Sequence, residues 1–422
     1  MLFKKLSELA TIDISNVDKK TKTGEQEVKL CNFVDVYHKW ALKDSMVNEL
    51  MSATANENQI SRFKLQSGQV AITKDSETKD DIGMAMLVDI NMPDVVLGYH
   101  CALITPNGNE LSASYLNVVL HSSYASKYFE MNASGSGQRY TLTNDIIGNF
   151  PVPMISLKEQ ESISDVFDQI NNKILTNNAI ISELEAMAKD IYDYWFVQFD
   201  FPDENGMPYK SSGGKMVWNE ELKREIPEGW MKGCISSIAT LINDQVSPED
   251  NEIYIHYSIP AFDSGRIPVK EQGSTIESNK YVVSKEMILA SKLNPQFPRI
   301  WWPAFIEANM ICSTEFLPLI PNNELYRVFL YLLLKSDALC TEMKQKATCS
   351  TGSRRRIDPD VFMSMCFALP TDKTIIAFSE KVFPIIEKVN VCLKENEELT
   401  SLRDFLLPLL MNGQVKIGEM EP

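Results

Sequence analysis

Histidine is scarce in this chain, with 4 in 422 residues, and those few are dispersed. The eight cysteines, Cys31, Cys101, Cys234, Cys312, Cys340, Cys349, Cys366 and Cys392, form no CxxC pair. Both shortages count against a zinc site and against a disulfide framework, and reduced, mostly buried thiols are expected. No run approaches the roughly 18 apolar residues of a membrane span, and MLFKKLSELA leads into no apolar signal region. A soluble, cytoplasmic protein with no membrane partner is therefore expected. Positive charge is also short: 41 Lys and Arg against 57 Asp and Glu leave −16. That balance opposes a chain that neutralises nucleic-acid phosphates by its own surface.

What is present points to a globular protein of two or more domains, 44% hydrophobic and 23% charged. The acid is unevenly placed. Residues 156–204 carry 3 basic and 11 acidic side chains, half of the net charge, whereas residues 234–370 carry 13 and 15. A first module over residues 1–153 mixes strand candidates, Gln69–Thr73 and Ala85–Ile90, with a helical stretch over Ser114–Met131. A second, over residues 230–370, repeats it. Placing Gly135 on Gly352 brings Ser136 onto Ser353, Arg139 onto Arg356, Phe150 onto Phe367 and Pro153 onto Pro370 without a gap. Ile72, Thr73 and Lys74 match Ala290, Ser291 and Lys292, and LSELAT (Leu6–Thr11) matches ISSIAT (Ile235–Thr240). A period near two hundred residues means duplication of a domain, not a solenoid.

A long helix is expected after each module, over residues 154–200 and 371–412. The first has apolar residues at alternating steps of four and three: Ile163, Phe167, Ile170, Ile174, Asn177, Ile181, Leu184, Ala188, Ile191 and Trp195. The second has Phe378, Val382, Ile385, Val389, Cys392, Asn396 and Leu399, then shifts phase to Leu402, Leu406 and Leu409, with Pro384 a candidate kink. This is coiled-coil spacing, and an Asn within each seam can fix register. Residues 201–229 form a Gly/Ser/Pro-punctuated connector and residues 413–422 a tail. Two amphipathic helices packed on unrelated cores are the alternative.

From Leu184 to Trp230 runs LEAMAKDIYDYWFVQFDFPDENGMPYKSSGGKMVWNEELKREIPEGW. Its helix end, YDYWF segment, FDFPDENG run and KREIPEGW re-entry closely resemble the central conserved region of type I restriction-modification specificity subunits. Leu399–Ile417 is similar to the distal conserved region of that family. The resemblance implies an α+β fold in which two similar target-recognition domains, in pseudo-twofold arrangement, are separated by two long antiparallel coiled-coil helices. It implies a non-catalytic DNA-specificity subunit that reads a bipartite double-stranded target and docks two modification (methyltransferase) subunits and restriction subunits. By the same resemblance S-adenosylmethionine, ATP and magnesium belong to those partners and no cofactor or metal to this chain.

The paired loops SGSGQR and TGSRRR are the sharpest candidates for DNA contact. Gly and Ser allow close approach to phosphate, and Arg can fork onto guanine or clamp a phosphate. They supply Ser134, Ser136, Gln138 and Arg139 in one module and Thr351, Ser353, Arg354, Arg355 and Arg356 in the other. A second set follows strands: Thr73, Lys74 and Ser76, then Ser291, Lys292, Asn294, Gln296 and Arg299. Ordinary turn chemistry would use the same residue types. The aromatics Tyr192, Tyr194, Trp195, Phe196, Phe199 and Phe201 are expected as core or partner interface, and Asp200, Asp203 and Glu204 as a solvated connector.

Two rival classes remain. A self-contained adenine methyltransferase would need a [DN]PP[YF] motif, and NPQF (Asn294–Phe297) lacks its second proline; GSGQ (Gly135–Gln138) follows no clear strand, as a cofactor loop should. A nuclease would need more than the lone ExK of Glu77 and Lys79. A non-DNA scaffold binding protein through its paired domains is the other rival.

Overall fold

The apolar strands of the first module are buried on both faces. In the computed structural model, which describes residues 2–37, 39–136, 139–349 and 354–411, five strands lie in the order Ala10–Ile14, Cys101–Pro106, Gln69–Thr73, Ala85–Val88 and Ala41–Leu42. Their side chains alternate between two cores. Val70, Ile72, Ala85, Leu87, Ala102 and Ile104 face helices Ala113–Leu120 and Ser123–Asn132. Ala71, Met86, Val88, Cys101 and Leu103 face a smaller sheet of Met51–Ala55, Gln26–Cys31 and Val95–Leu97. Two covered faces explain why these strands read as continuous apolar runs, not as alternation.

The second module repeats the plan with a four-stranded sheet ordered Ala239–Leu241, Phe316–Pro321, Ile288–Ser291 and Ile300–Trp301. Helices Arg327–Lys335 and Asp337–Lys346 occupy the place of the first pair. Hydrogen bonds fix the register of the duplication. Leu6 N donates to Phe150 O at 2.9 Å where Ile235 N donates to Met365 O at 3.1 Å. Lys74 N to His100 O matches Lys292 N to Glu315 O, both 2.9 Å. Leu6 therefore equates with Ile235 and Lys74 with Lys292, in agreement with the sequence match. The loop alignment, however, slips by two. Leu142 N donates to Lys74 O and Ile357 N to Lys292 O, so the counterpart of Arg139 is Arg354 and that of Arg356 is Thr141. Phe150 likewise equates with Met365. The shared G-S, R, F and P letters are coincidental, because the helix caps Thr143 and Asp358 and the strands Pro151–Met154 and Cys366–Leu369 fix a different spacing.

The chain divides into two compact units, residues 1–173 with Leu399 onward, and residues 174–398. The boundary falls within both long helices, Leu157–Tyr192 and Asp372–Met411. A capping box starts the first: Glu159 N donates to Ser156 Oγ, and Ser156 N donates to the Glu159 carboxylate. A π-helical turn, Asp193–Val197, ends it and seats Trp195 and Phe196 in the second module's core with Tyr192, Phe199 and Phe201. Each helix packs differently along its length. In the first unit Ile163, Phe167 and Leu407 join the sheet-and-helix core. In the second unit Ala188, Ile375, Phe378, Val382 and Ile386 join the domain core, while Ile181, Val389, Cys392 and Leu393 form a separate cluster with Leu184 beside it. There the helices run antiparallel, since Asn177 meets Asn396 while Ile181 meets residues 389–393.

The seam is adjusted accordingly. Ile170 is buried, Ile174, Ile191 and Leu399 are half-buried, and the buried isoleucine near position 385 is Ile386, with Ile385 half-buried. Leu402 is exposed, with Leu407 buried and Leu406 partly buried in its stead. A helix lying on a domain follows the 3.6-residue period, so a strict heptad drifts off its buried face. One connector residue also departs from expectation. Asp200 is buried and accepts from Ser211 N at 2.7 Å and Ser211 Oγ at 2.6 Å, so it pins the turn and is not solvated.

Candidate nucleic-acid interface

In the first module the hairpin Ser134–Ser136 and Arg139–Thr141 pairs with Asp75–Ser76, just beyond the buried strand Gln69–Thr73. Asp75 is the centre of this corner. Lys74 Nζ donates to it at 2.7 Å, His100 Nδ1 at 2.8 Å, Arg139 Nη2 at 3.1 Å and Thr141 Oγ1 at 2.5 Å. Burial alone would raise the Asp75 carboxyl, but the bonds from Lys74, Thr141 and His100 together hold it well below the usual carboxylate range. His100 Nδ1 also lies 3.1 Å from Arg139 Nη2. If that nitrogen donates to Asp75 it cannot accept from Arg139 at the same time, so the arginine's partner is the carboxylate. An open cavity of about 580 Å³ lies beside the corner, lined by Phe33, Tyr37, Asp75, Asp81, His100 and Arg139 among others.

The second module rebuilds this corner with other residues. Arg356 donates through Nε at 3.0 Å and Nη2 at 2.7 Å to the Glu315 carboxylate, a side-on pair. Glu315 stands at the position equivalent to His100, and Arg356 at that of Thr141. The bond from Arg356 lowers the Glu315 carboxyl and raises the guanidinium in turn. A cavity of about 640 Å³ opens next to it, lined by His256, Ser258, Glu271, Lys280, Ser313 and Glu315 among others. His256 is nearly buried, with Nδ1 3.1 Å from Glu271, and burial pushes its pKa down.

Several residues picked from the sequence do structural work instead. Thr73 is buried and its Oγ1 accepts from Met84 N at 3.0 Å; Ser291 is buried and bonds both N and O of Leu293. Neither hydroxyl can reach a groove. Ser76 Oγ accepts from Thr78 N and Ser134 Oγ donates to Thr141 O, both closing turns. Asn294 adopts φ 48°, which Asn tolerates, and ties the strap to the hairpin: its N donates to Arg355 O at 2.7 Å while its Oδ1 accepts from Arg355 N at 3.1 Å. That oxygen is therefore engaged where a methyltransferase motif would grip a base. Arg299 makes a side-on pair with Asp263 at 2.7 and 2.8 Å and is only 16% exposed. Lys74 and Lys292 sit at the corners, the first mostly covered by its pairing with Asp75. Arg354 and Arg355 are exposed. Gln138, Thr351 and Ser353 lie outside the described residues, and for Ser136 only the strand is described. Among the described residues no group of three His, Cys, Asp or Glu could hold a metal ion, and no helix is long and apolar enough to cross a membrane.

Sequence reasoning missed Asp75, His100 and Glu315. Asp75 directly follows Lys74, yet nothing local marks it as the partner of a side chain 64 residues away.

The fold is duplicated, with a polar, arginine-bearing corner in each copy and a long helix following each. Comparison with known proteins shows what the chain is similar to. The model of the type I restriction modification DNA specificity domain matches residues 3–186. The type I restriction enzyme HindI specificity subunit of Haemophilus influenzae is 23% identical, covering 81% of this chain and 85% of its own length. The MjaIX specificity subunit of Methanocaldococcus jannaschii is 23% identical, covering 73% and 70%. The crystal structure of the type I restriction-modification S subunit from M. genitalium shares the fold at a TM-score of 0.54 and 14% identity, over 97% of this chain and 95% of that one. The chain is thus similar to type I restriction-modification specificity subunits, through the domain model over residues 3–186 and through relatives that align with most of its length.

Proposed function

We propose that the chain is the DNA-specificity subunit of a type I restriction-modification assembly, reading one half of a split duplex target with each module. The recurrence of the arginine-bearing corner carries this reading: the same topological place, beyond the same buried strand, holds a guanidinium fixed by a carboxylate in both copies. The subunit would itself be non-catalytic. Two methyltransferase subunits would bring S-adenosylmethionine, and restriction subunits ATP and magnesium. Its acidic charge agrees with a chain that shares phosphate neutralisation with partners.

Methylome sequencing of cells with and without the gene tests this. One bipartite methylated motif, two short defined sequences separated by a fixed unspecified spacer, should disappear on deletion. Loss of a continuous motif, or of none, would overturn the reading.

A further inference from the structure

We infer that Arg139 and Arg356 each read a guanine, one in each half-site, and that Asp75 and Glu315 are the positioning residues that aim them. The inference rests on the DNA-recognition reading above and goes further by dividing base readers from phosphate holders.

The division follows from charge and donor geometry. The Arg356 guanidinium with the Glu315 carboxylate 2.7 Å away is close to neutral as a unit, and a phosphate brought to it would also face the carboxylate; at the first corner a phosphate would likewise face Asp75, although Asp75 is shared between Arg139 and Lys74. Guanine offers two neutral acceptors, O6 and N7, and suffers no such repulsion. Arg356 spends its Nε hydrogen and one Nη2 hydrogen on Glu315. Three of the five donors remain, and the Nη1 and Nη2 pair at the tip has the spacing of the O6 and N7 edge. Arg139 is held through Nη2 alone and keeps more freedom. Tethering also removes rotamer entropy before DNA arrives, so less is lost on binding.

Exposure separates these two from a structural pair of the same kind. Arg139 is 59% and Arg356 38% exposed in the side chain, whereas Arg299 on Asp263 is 16% exposed. Both exposed arginines also stand at corners that border an open cavity, although they reach that place from different positions of the hairpin. An arrangement rebuilt from non-equivalent residues is not explained by inheritance of a stable turn.

The test uses the chain assembled with its methyltransferase subunits and a library of random duplexes. The wild-type assembly should select two half-sites, each holding a guanine on one strand. Arg356→Ala should lower the preference for guanine at one position of one half-site by roughly 10- to 100-fold, and Arg139→Ala should do the same in the other half-site. Glu315→Gln should weaken that same position, leaving all others intact. Arg356→Lys, which keeps the charge but not the fork, should also lose discrimination there, and it covers the case in which the alanine variant does not assemble. If Arg356→Ala and Arg356→Lys instead left every base preference intact, with the alanine variant weakening all sequences evenly and lowering the salt slope by about one, the residue would hold phosphate and the inference would fall. Half-sites without guanine would also overturn it. Absence of any bipartite selection by the wild-type assembly is a different result, and it would remove the recognition reading itself.

Discussion

Four donors converge on Asp75, and two of them, Lys74 and Arg139, carry charge that has no other partner at that corner among the described contacts. Asp75→Asn would remove the counter-charge and leave an amide hydrogen facing a donor. A charged hydrogen bond is worth about 1.5–3 kcal/mol, so a loss of about 2 kcal/mol is expected, read as a lower urea midpoint at unchanged slope. The pH dependence has a definite sign. The folded carboxyl lies below its ordinary value of 3.8, so its contribution is complete above that value and fades as pH falls through the lowered one. The gap between wild type and variant should be constant from pH 7 to 5 and narrow below about 4. A gap that widened in acid would contradict the assignment. At this scale the sequence is legible only in part: Lys74, Arg139 and Arg356 stand out as cations of the paired segments, but the acids that hold them do not. Glu315 lies 41 residues from Arg356, and folding, not spacing, brings them together. Thr73 and Ser291 fail for a related reason, since a hydroxyl after a strand can bond its own backbone as readily as a ligand.

Among elements, the polar layer between the long helices is the most specific feature of the second unit. Asn177 Nδ2 donates to Asn396 Oδ1 at 3.0 Å and to Glu395 at 2.9 Å, and Asn396 Nδ2 donates to Asn178 Oδ1 at 2.9 Å. Both Asn177 and Asn396 are buried, and Asn177 Oδ1 has no partner there. An unsatisfied buried carbonyl is costly, whereas an apolar pair of similar shape is not. Asn177→Ala alone should therefore destabilise the chain by about 1 kcal/mol or more, because Asn396 loses a donor. Changing Asn177 and Asn396 together to Leu should restore or exceed wild-type stability while loosening the register. Thermal midpoints of Asn177→Leu, Asn396→Leu and the double variant form the cycle that checks this; additive losses would show that the layer is not a unit. The heptad pattern made these two asparagines visible, along with Ile181, Val389 and Cys392. It failed at Leu402, where the helix belongs to the other compact unit and answers to that unit's core.

For the whole molecule, the duplication and the two domain cores were readable because apolar runs and repeated segments survive in one dimension. The two-residue slip of the loop alignment was not, since only hydrogen bonds count register. Net charge is a property of the same scale and leads to the last expectation. The first long helix and its exit hold half of the −16, while the second module is nearly balanced, so the largest share of the charge that opposes DNA binding lies outside the two corners. Each phosphate neutralised adds close to one unit to the slope of log affinity against log salt. The isolated chain carries an excess of acid, and several of its arginines, Arg139, Arg299 and Arg356 among them, are held by carboxylates. It should bind duplex weakly with a shallow slope. With methyltransferase subunits added, affinity at about 0.15 M salt should rise by at least about 100-fold, and the slope should steepen as partner cations join the interface. Titration of labelled duplex over a salt series, with and without partners, measures both. Equal affinity and equal slope in the two cases would mean that the chain neutralises phosphate unaided, and that its acidic spacer lies beyond the screening length from the bound DNA.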